Sequence, residues 1–511
     1  MAEMIESDSI GSVDVIVVGG GGTGLAAAIE ARSLGRSVVL LEKNSSLGGT
    51  TGMSVGSITA TNTPHQLAAN ILDSPQDHFD DMPGFAGELA SRDNPALRKL
   101  LTDNVPDTFR WLLSLGLVFF GPMPEPPHRK PRMHTILPNS RAYIHVLERH
   151  ARKIGVEIHE SMRVMELLRE NGRVVGVATG IGGVRREFRA RGGIVLASGD
   201  YSANGQLKGR FMSPETAKVD PINPTSEGDG QAMGLDAGSK VLNGDLSLGP
   251  EIRFIPPERE TFVRKLPPHR RLAQFMAWSM DHMPAWLLRP FVMSFVTTWL
   301  APSPRLFEEG AVLINTKGEH FADELATPAL ALPDQPDKIG YILLDKTMAE
   351  KFSGWPYFIS TAPGIAYAYL ADYRRNRKDV YRAARSLKRL ARKLDMAPET
   401  LTGAIEKHNT AIDNGSCQKR PKLETPPFVA LGPVKSSIIT TEGGLAVNQD
   451  LQVLGEGDRP IAGLYAAGSA GQGGLLLEGH GHHLGWAFTS GRIAGRNAAN
   501  QATTEDLPQS E

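Results

Sequence analysis

Between Val13 and Lys43 the chain reads VDVIVVGGGGTGLAAAIEARSLGRSVVLLEK: a β-branched apolar run, a glycine cluster, an alanine-rich helical stretch and a second apolar run, SVVLLE. The change from strand to helix period and back predicts a βαβ unit. Two later apolar runs that end in small residues, GGIVLASG at 192–199 and AGLYAAGS at 462–469, predict further buried strands, and a helix is expected to begin near Gly485. From Met123 to Gly155 a proline-rich loop passes into a helical pattern. The longest apolar run, MPAWLLRPFVMSFVTTWLAP from Met283 to Pro302, holds three prolines and Arg289. That breaks it below the ~20 clean residues a spanning helix needs.

The glycines of the first unit carry chemistry. Gly19, Gly21 and Gly24 stand at G-x-G-x-x-G spacing between strand and helix. Gly19 permits the tight turn, Gly21 lets a pyrophosphate approach the backbone, and Gly24 allows the helix to pack closely. The helix N-terminus adds partial positive charge for phosphate. Glu42 closes the second strand 18 residues after Gly24, where an acid can bind ribose hydroxyls. Strand, helix and acid in register predict dinucleotide binding.

Length and charge narrow the class. At 511 residues the chain exceeds one usual domain, so two domains, or one large domain with an insertion, are expected. With 55 basic against 56 acidic residues and no long basic block, nucleic acid is excluded as a partner. The one cysteine, Cys417, excludes an intramolecular disulfide, a cysteine-based zinc site and an iron–sulfur cluster. The N-terminal stretch MAEMIESDSIGS lacks a basic region followed by an apolar run, so a cytoplasmic protein is expected.

The stretch after the ribose acid, NSSLGGTTGMSVGSI, resembles the flavoprotein family of fumarate reductase and succinate dehydrogenase, which includes the 3-ketosteroid Δ1-dehydrogenases. GGIVLASGDYSAN at 192–204, TSEGDGQAMGLDAG at 225–238 and the C-terminal GGLAVNQDLQVL and HLGWAFTSGRIAGRNAA stretches match the same family in order. The resemblance implies an α/β fold: a Rossmann-like, three-layer FAD-binding domain with a parallel sheet, formed by residues 11–243 and 442–500. An α+β capping domain is inserted at 244–441, with flexible tails at 1–10 and 501–511. It implies non-covalent FAD, since GGTTGMSVGS has no histidine to carry a bond. Besides Gly19, Gly21, Gly24 and Glu42, the implied cofactor contacts are Gly22, Thr23, Lys43, Gly48, Gly49, Thr50, Thr51, Ser54, Val55 and Gly56. Val164, Ala197, Ser198, Gly199, Asp229, Gly468, Ser469 and Leu484 complete them.

The chain also departs from the family. Where the resemblance places the acid arginine, HFADELATPAL has Phe321 and Glu324 but Pro328. NGDLSLGPE lacks the capping-domain histidine, and SIITTEGG lacks the histidine before the glycine pair. His483 replaces the arginine before Leu484, and the position of the ketosteroid enzymes' tyrosine falls near Leu477. Without arginine clamps a C4-dicarboxylate substrate is disfavoured, because arginine is the residue for bidentate carboxylate binding. A hydrophobic cyclic ketone is expected instead.

LLLEGHGHHLG, Leu475 to Gly485, raises three readings: a metal site, a catalytic site, or histidines that only hydrogen-bond the backbone or the cofactor. His480, His482 and His483 lack the i, i+4 helical spacing of a zincin, so no metal is expected. The catalytic candidates are His483, then His482, His480 and Glu478, opposed by a tyrosine such as Tyr367 from WPYFISTAPGIAYAYLADYRR, which also holds Tyr357 and Tyr369. His128, Arg129, Arg132 and His134 either line the site or, the preferred reading, anchor a loop or subunit contact. The apolar stretch 276–302, with Trp278, Trp286, Phe291, Phe295 and Trp299, reads as core, as a substrate lid or as a peripheral membrane contact. The expected reaction is α,β-dehydrogenation of the ketone by hydride transfer to flavin N5, or its reverse on an enone. The electron acceptor would be a quinone, a dye-like molecule or a protein. The chain could also serve as the flavoprotein subunit of an electron-transfer complex, or bind FAD without turnover.

Overall fold

The computed structural model describes residues 8–181, 184–258, 265–362, 366–416 and 420–504. Cys417, residues 1–7 and 505–511 of the expected tails, and the side chains of Phe295 and Trp299 lie outside the described residues.

The strand Asp8–Val18 lies in the middle of an eight-stranded sheet. It runs parallel to Val38–Leu41 on one side and to Val184–Leu196 on the other, with Val15 opposite both Val38 and Gly193. Pro460–Ala466 and Glu157–His159 extend the parallel set outward, and Val164–Glu170 with Arg173–Ile181 adds an antiparallel ribbon. Strands covered on both faces need apolar residues at every position, and Val38 to Leu41 are all buried. The helix Gly22–Ser33 packs against the last helix, His482–Thr504. Wedged between neighbours, it buries nine of its twelve residues, which is why its sequence is alanine-rich all round rather than striped.

A second, six-stranded sheet has Phe428–Ile438 at its centre, antiparallel to Glu251–Phe254, Gly340–Leu344 and Tyr381–Ala384 and parallel to Asp220–Pro221. Its core is separate, drawn from residues between Ile252 and Val434, whereas the first core draws on Val15 to Met233 and Leu445 to Ala499. The two crossings that bracket the second core are stapled together. Val241–Leu242 pairs with Gly444–Leu445, and Ser247–Leu248 pairs with Thr440–Thr441.

The apolar stretch forms two helices, Arg270–His282 and Ala285–Trp299. One side is core: Ala273, Met293, Val296 and Thr297 are buried. The other side exposes Phe275, Trp278, Trp286, Leu287 and Phe291, with Trp286 at 74% exposure. No helix among the described residues is long and apolar enough to cross a membrane.

Candidate active site

A cavity opens along the ends of the parallel strands and runs to the N-terminus of the last helix. Its first part is the glycine loop. Gly21 caps the helix Gly22–Ser33 without any side chain, which leaves the helix N-terminus facing the cavity. A Cβ on Gly24 would sit 1.8 Å from the Gly19 carbonyl oxygen, so only glycine lets this helix start against the strand. A Cβ on Gly21 would meet nothing closer than 3.9 Å, so that space is open to a ligand.

Most of the expected cofactor residues line this cavity: Gly19, Gly21, Gly22, Thr23, Glu42, Lys43, Gly49, Thr50, Thr51, Ser54, Val164, Ala197, Ser198, Gly199, Asp229, Ser469 and Leu484. Gly24, Gly48, Val55, Gly56 and Gly468 do not. Gly468 has φ +60°, and a Cβ there would lie 2.4 Å from Thr23 Oγ1, so it shapes the wall rather than touching a ligand. Glu42 is buried, and its carboxylate accepts from the Gly20 amide at 2.6 Å and from the Asn44 amide at 2.8 Å. A carboxylate offers about four lone-pair sites, which leaves capacity for a hydroxyl donor. Lys43 and Arg163 both bridge Glu227 and Asp229, at 2.6–3.0 Å, forming a balanced quartet of charges beside Glu42.

The other end is built around His483 in the first turn of the last helix, which begins three residues earlier than the sequence pattern places it. His483 Nε2 lies 2.7 Å from Oε1 of Glu442, a carboxylate 1% exposed whose other oxygen accepts from Gln472. Burial works against a charge on His483, but the Glu442 carboxylate outweighs it and raises the imidazole above the ordinary histidine value. Burial likewise pushes up the carboxyl of Asp200, which lines the cavity, and that of Glu478, where the nearby Glu442 adds to the effect. His483 thus stands at the helix N-terminus with the Glu442 carboxylate paired to it and the carboxyls of Glu478 and Asp200 close enough to act on it. Leu248, Ile439, Leu484 and Ala487 surround it.

The other candidates of the histidine loop diverge. His480 turns to Glu125, donating its amide at 2.9 Å and lying 2.5 Å away through Nδ1, and that hydrogen bond raises its imidazole. His482 is fully buried on the opposite side, against His78 and His128. Neither lines the cavity, and nor do Glu478 or Tyr367. The Tyr367 ring packs instead on Trp355 and Phe358. The basic loop anchors structure, as preferred from sequence. Arg132, fully buried, bridges Asp73 and Asp81, while His134 meets Thr63 Oγ1 at 3.1 Å and Arg129 grips Asp81.

Glu442, Asp200, Asn223, Ile439 and Thr440 were missed by sequence reasoning. One signal was available: Glu442 is a lone acid between the uncharged, β-branched IITT run and a glycine pair, and a buried acid needs a partner. Glu324, at the fumarate reductase position, is likewise buried but holds Arg420 and His320 away from this cavity.

Residues 14–257 and 290–476 match the FAD binding domain family. The chain belongs to this family, and its cofactor is FAD. It is a flavoprotein of the fumarate reductase and succinate dehydrogenase kind. It is 24% identical over 504 residues to fumarate reductase (cytochrome) of Shewanella frigidimarina, covering 96% of this chain and 77% of that one. The vinyl phenol reductase of Lactiplantibacillus plantarum is 26% identical over 528 residues, covering 97% and 98%. The fold is shared with 3-ketosteroid Δ1-dehydrogenase from Sterolibacterium denitrificans, solved with 1,4-androstadiene-3,17-dione, at a TM-score of 0.64 and 19% identity, covering 96% and 100%. The flavoprotein's cavity fits FAD on its own terms. It is open at Gly21 where a diphosphate must approach, acidic at Glu42, and holds the Glu442-paired His483 at its other end.

Proposed function

We propose that the flavoprotein desaturates the carbon pair next to the carbonyl of a hydrophobic cyclic ketone, with residues 244–441 acting as the cap over the site. The observation that carries this reading is the make-up of the His483 end. Among the described lining residues the only arginine is Arg163, at the Glu42 end and already bridged to Glu227 and Asp229. The His483–Glu442 pair stands instead among Leu248, Ile439 and Leu484. A dicarboxylate would meet no bidentate partner there, whereas an apolar molecule with one polarisable oxygen would.

Bound FAD supplies the ring that accepts hydride. His483, with Nε2 committed to Glu442, offers Nδ1 to the substrate oxygen and holds it while the α-proton passes to a general base, for which the Asp200 carboxyl lining the cavity is the candidate. Glu442 keeps that imidazole oriented, and the apolar walls keep water from the reacting carbons. The reverse reaction, reduction of an enone, is a second reading. It is favoured by the reductive names of two relatives, fumarate reductase and vinyl phenol reductase. Electrons would pass to or from a quinone, a dye-like molecule or a protein. The exposed ridge of Trp278, Trp286 and Phe291, flanked by the exposed Arg270 and Arg271, fits contact with an anionic membrane surface that carries such substrates.

The test is anaerobic spectral titration of the yellow protein with cyclic ketones, steroids and enones. Bleaching by a ketone supports desaturation, and recolouring of the reduced protein by an enone supports the reverse. A protein that answers only to fumarate or succinate would overturn both.

A further inference from the structure

Three histidines distant in sequence meet in the interior beside the active-site loop. His78 lies in the helix Pro75–Asp81, His128 in the loop before the strand Met133–Leu137, and His482 opens the last helix. All three are buried, and one ring nitrogen from each lies within 4.8 Å of the others. His78 Nε2 and His482 Nε2 face each other at 3.2 Å. Two ligands of a tetrahedral ion with metal–nitrogen bonds of about 2.0–2.1 Å stand about 3.3 Å apart, so this pair is already at ligand spacing.

The hydrogen bonds around the cluster prepare it in the same sense. His482 Nδ1 is 2.5 Å from the Glu478 carbonyl, which can only accept, so the proton sits on Nδ1 and the lone pair on Nε2 points inward. Fixing the outer nitrogen by a backbone carbonyl is how ligating histidines are usually oriented. His128 Nε2, the nitrogen left for the ion, is buried with no hydrogen-bond partner, a costly arrangement in a metal-free core. The buried cation nearby, Arg132, is offset by two carboxylates, Asp73 and Asp81. Arg132 Nη1 donates to His128 Nδ1 at 2.9 Å, so binding through His128 Nε2 moves the ring proton to Nδ1, breaks the Arg132 contact and turns Nδ1–H toward the Asp81 carboxylate 3.9 Å away.

We infer that His78, His128 and His482 bind one divalent transition-metal ion of the zinc class, with water at the fourth position. Loading draws the widest nitrogen pair in by up to roughly 1.5 Å, to tetrahedral spacing. The ion ties the helix Pro75–Asp81 and the loop around His128 to the residue directly before His483. Its role is to brace the loop that carries the cavity's charged group.

The experiment uses the FAD-loaded full chain. Metal content is measured by plasma mass spectrometry before and after chelation, followed by reloading with Zn²⁺ or Co²⁺ alone. The expected result is about one ion per chain, a tetrahedral Co²⁺ visible spectrum without a thiolate band, and zinc-edge absorption showing imidazoles at about 2.0–2.1 Å. The ion should be lost in His78→Ala and His128→Ala proteins that keep their FAD absorbance. Should those variants fail to fold, the wild-type cobalt and zinc-edge spectra decide alone. A chain that takes up neither ion, or a His78→Ala/His128→Ala double variant that binds it as wild type does, overturns the inference.

Discussion

Gly21→Ala isolates the ligand from the fold. Gly21 has φ −79° and ψ −173°, an extended conformation open to alanine, and its new Cβ would approach no protein atom closer than 3.9 Å. The apo-protein should therefore melt within a degree or two of wild type, the ordinary outcome for a change that meets no neighbour. The space that the methyl fills is the one a pyrophosphate must enter to reach the helix N-terminus. Displacing it loses two charge-assisted hydrogen bonds worth about 1.5–3 kcal/mol each, roughly 3–6 kcal/mol together. That weakens FAD binding about 10²- to 10⁴-fold. Quenching of FAD fluorescence on titration with apo-protein reads the affinity, and a melting curve of the apo-protein reads the fold. FAD affinity within threefold of wild type would refute the placement of the diphosphate. Gly24→Ala gives the contrast: its Cβ would lie 1.8 Å from the Gly19 oxygen, so stability and FAD binding should fall together.

Arg420→Ala removes the partner of Glu324, a carboxylate with a fully buried side chain, 2.5 Å away, and should cost about 3–5 kcal/mol at neutral pH by chemical denaturation. Burial opposes the Glu324 charge, but His320 and Arg420 hold its carboxyl below the ordinary value. The pair's contribution is thus complete above the unfolded carboxylate pKa of about 4.3 and is lost as pH falls through the lower folded value, so the gap between variant and wild type should close in acid. A gap that widens in acid would contradict this. Trp278 and Trp286, 51% and 74% exposed, should each contribute about 2–3 kcal/mol to interfacial binding. The double alanine variant should then lose flotation on vesicles containing anionic lipid, and a wild-type protein that never floats would remove the membrane reading.

The parts of the fold written in local pattern were legible. The Gly19–Gly24 turn, the apolar strands Val13–Val18 and Val38–Leu41 and the acid Glu42 form one contiguous stretch whose period and spacing permit little else. The histidine loop was legible only as a place. His480, His482 and His483 are near neighbours in sequence, yet they point to Glu125, His78 and Glu442, which lie 355, 404 and 41 residues away. A turn with positive φ at Gly479 and Gly481 separates the directions of successive side chains, and no spacing rule reports which distant element waits on each side. Glu442 went unweighed for the same reason: its role exists only once the crossing strands Ser247–Leu248 and Thr440–Thr441 bring it to the cavity.

The central claim is that His483, held by Glu442, is the charged group acting on substrate beside the flavin. Its most direct test is the anaerobic rate of flavin bleaching or recolouring in His483→Gln, measured by rapid mixing with whichever ketone or enone reacts with wild type. The account predicts a fall of about 10²- to 10³-fold with FAD content unchanged. A rate within threefold of wild type would contradict it.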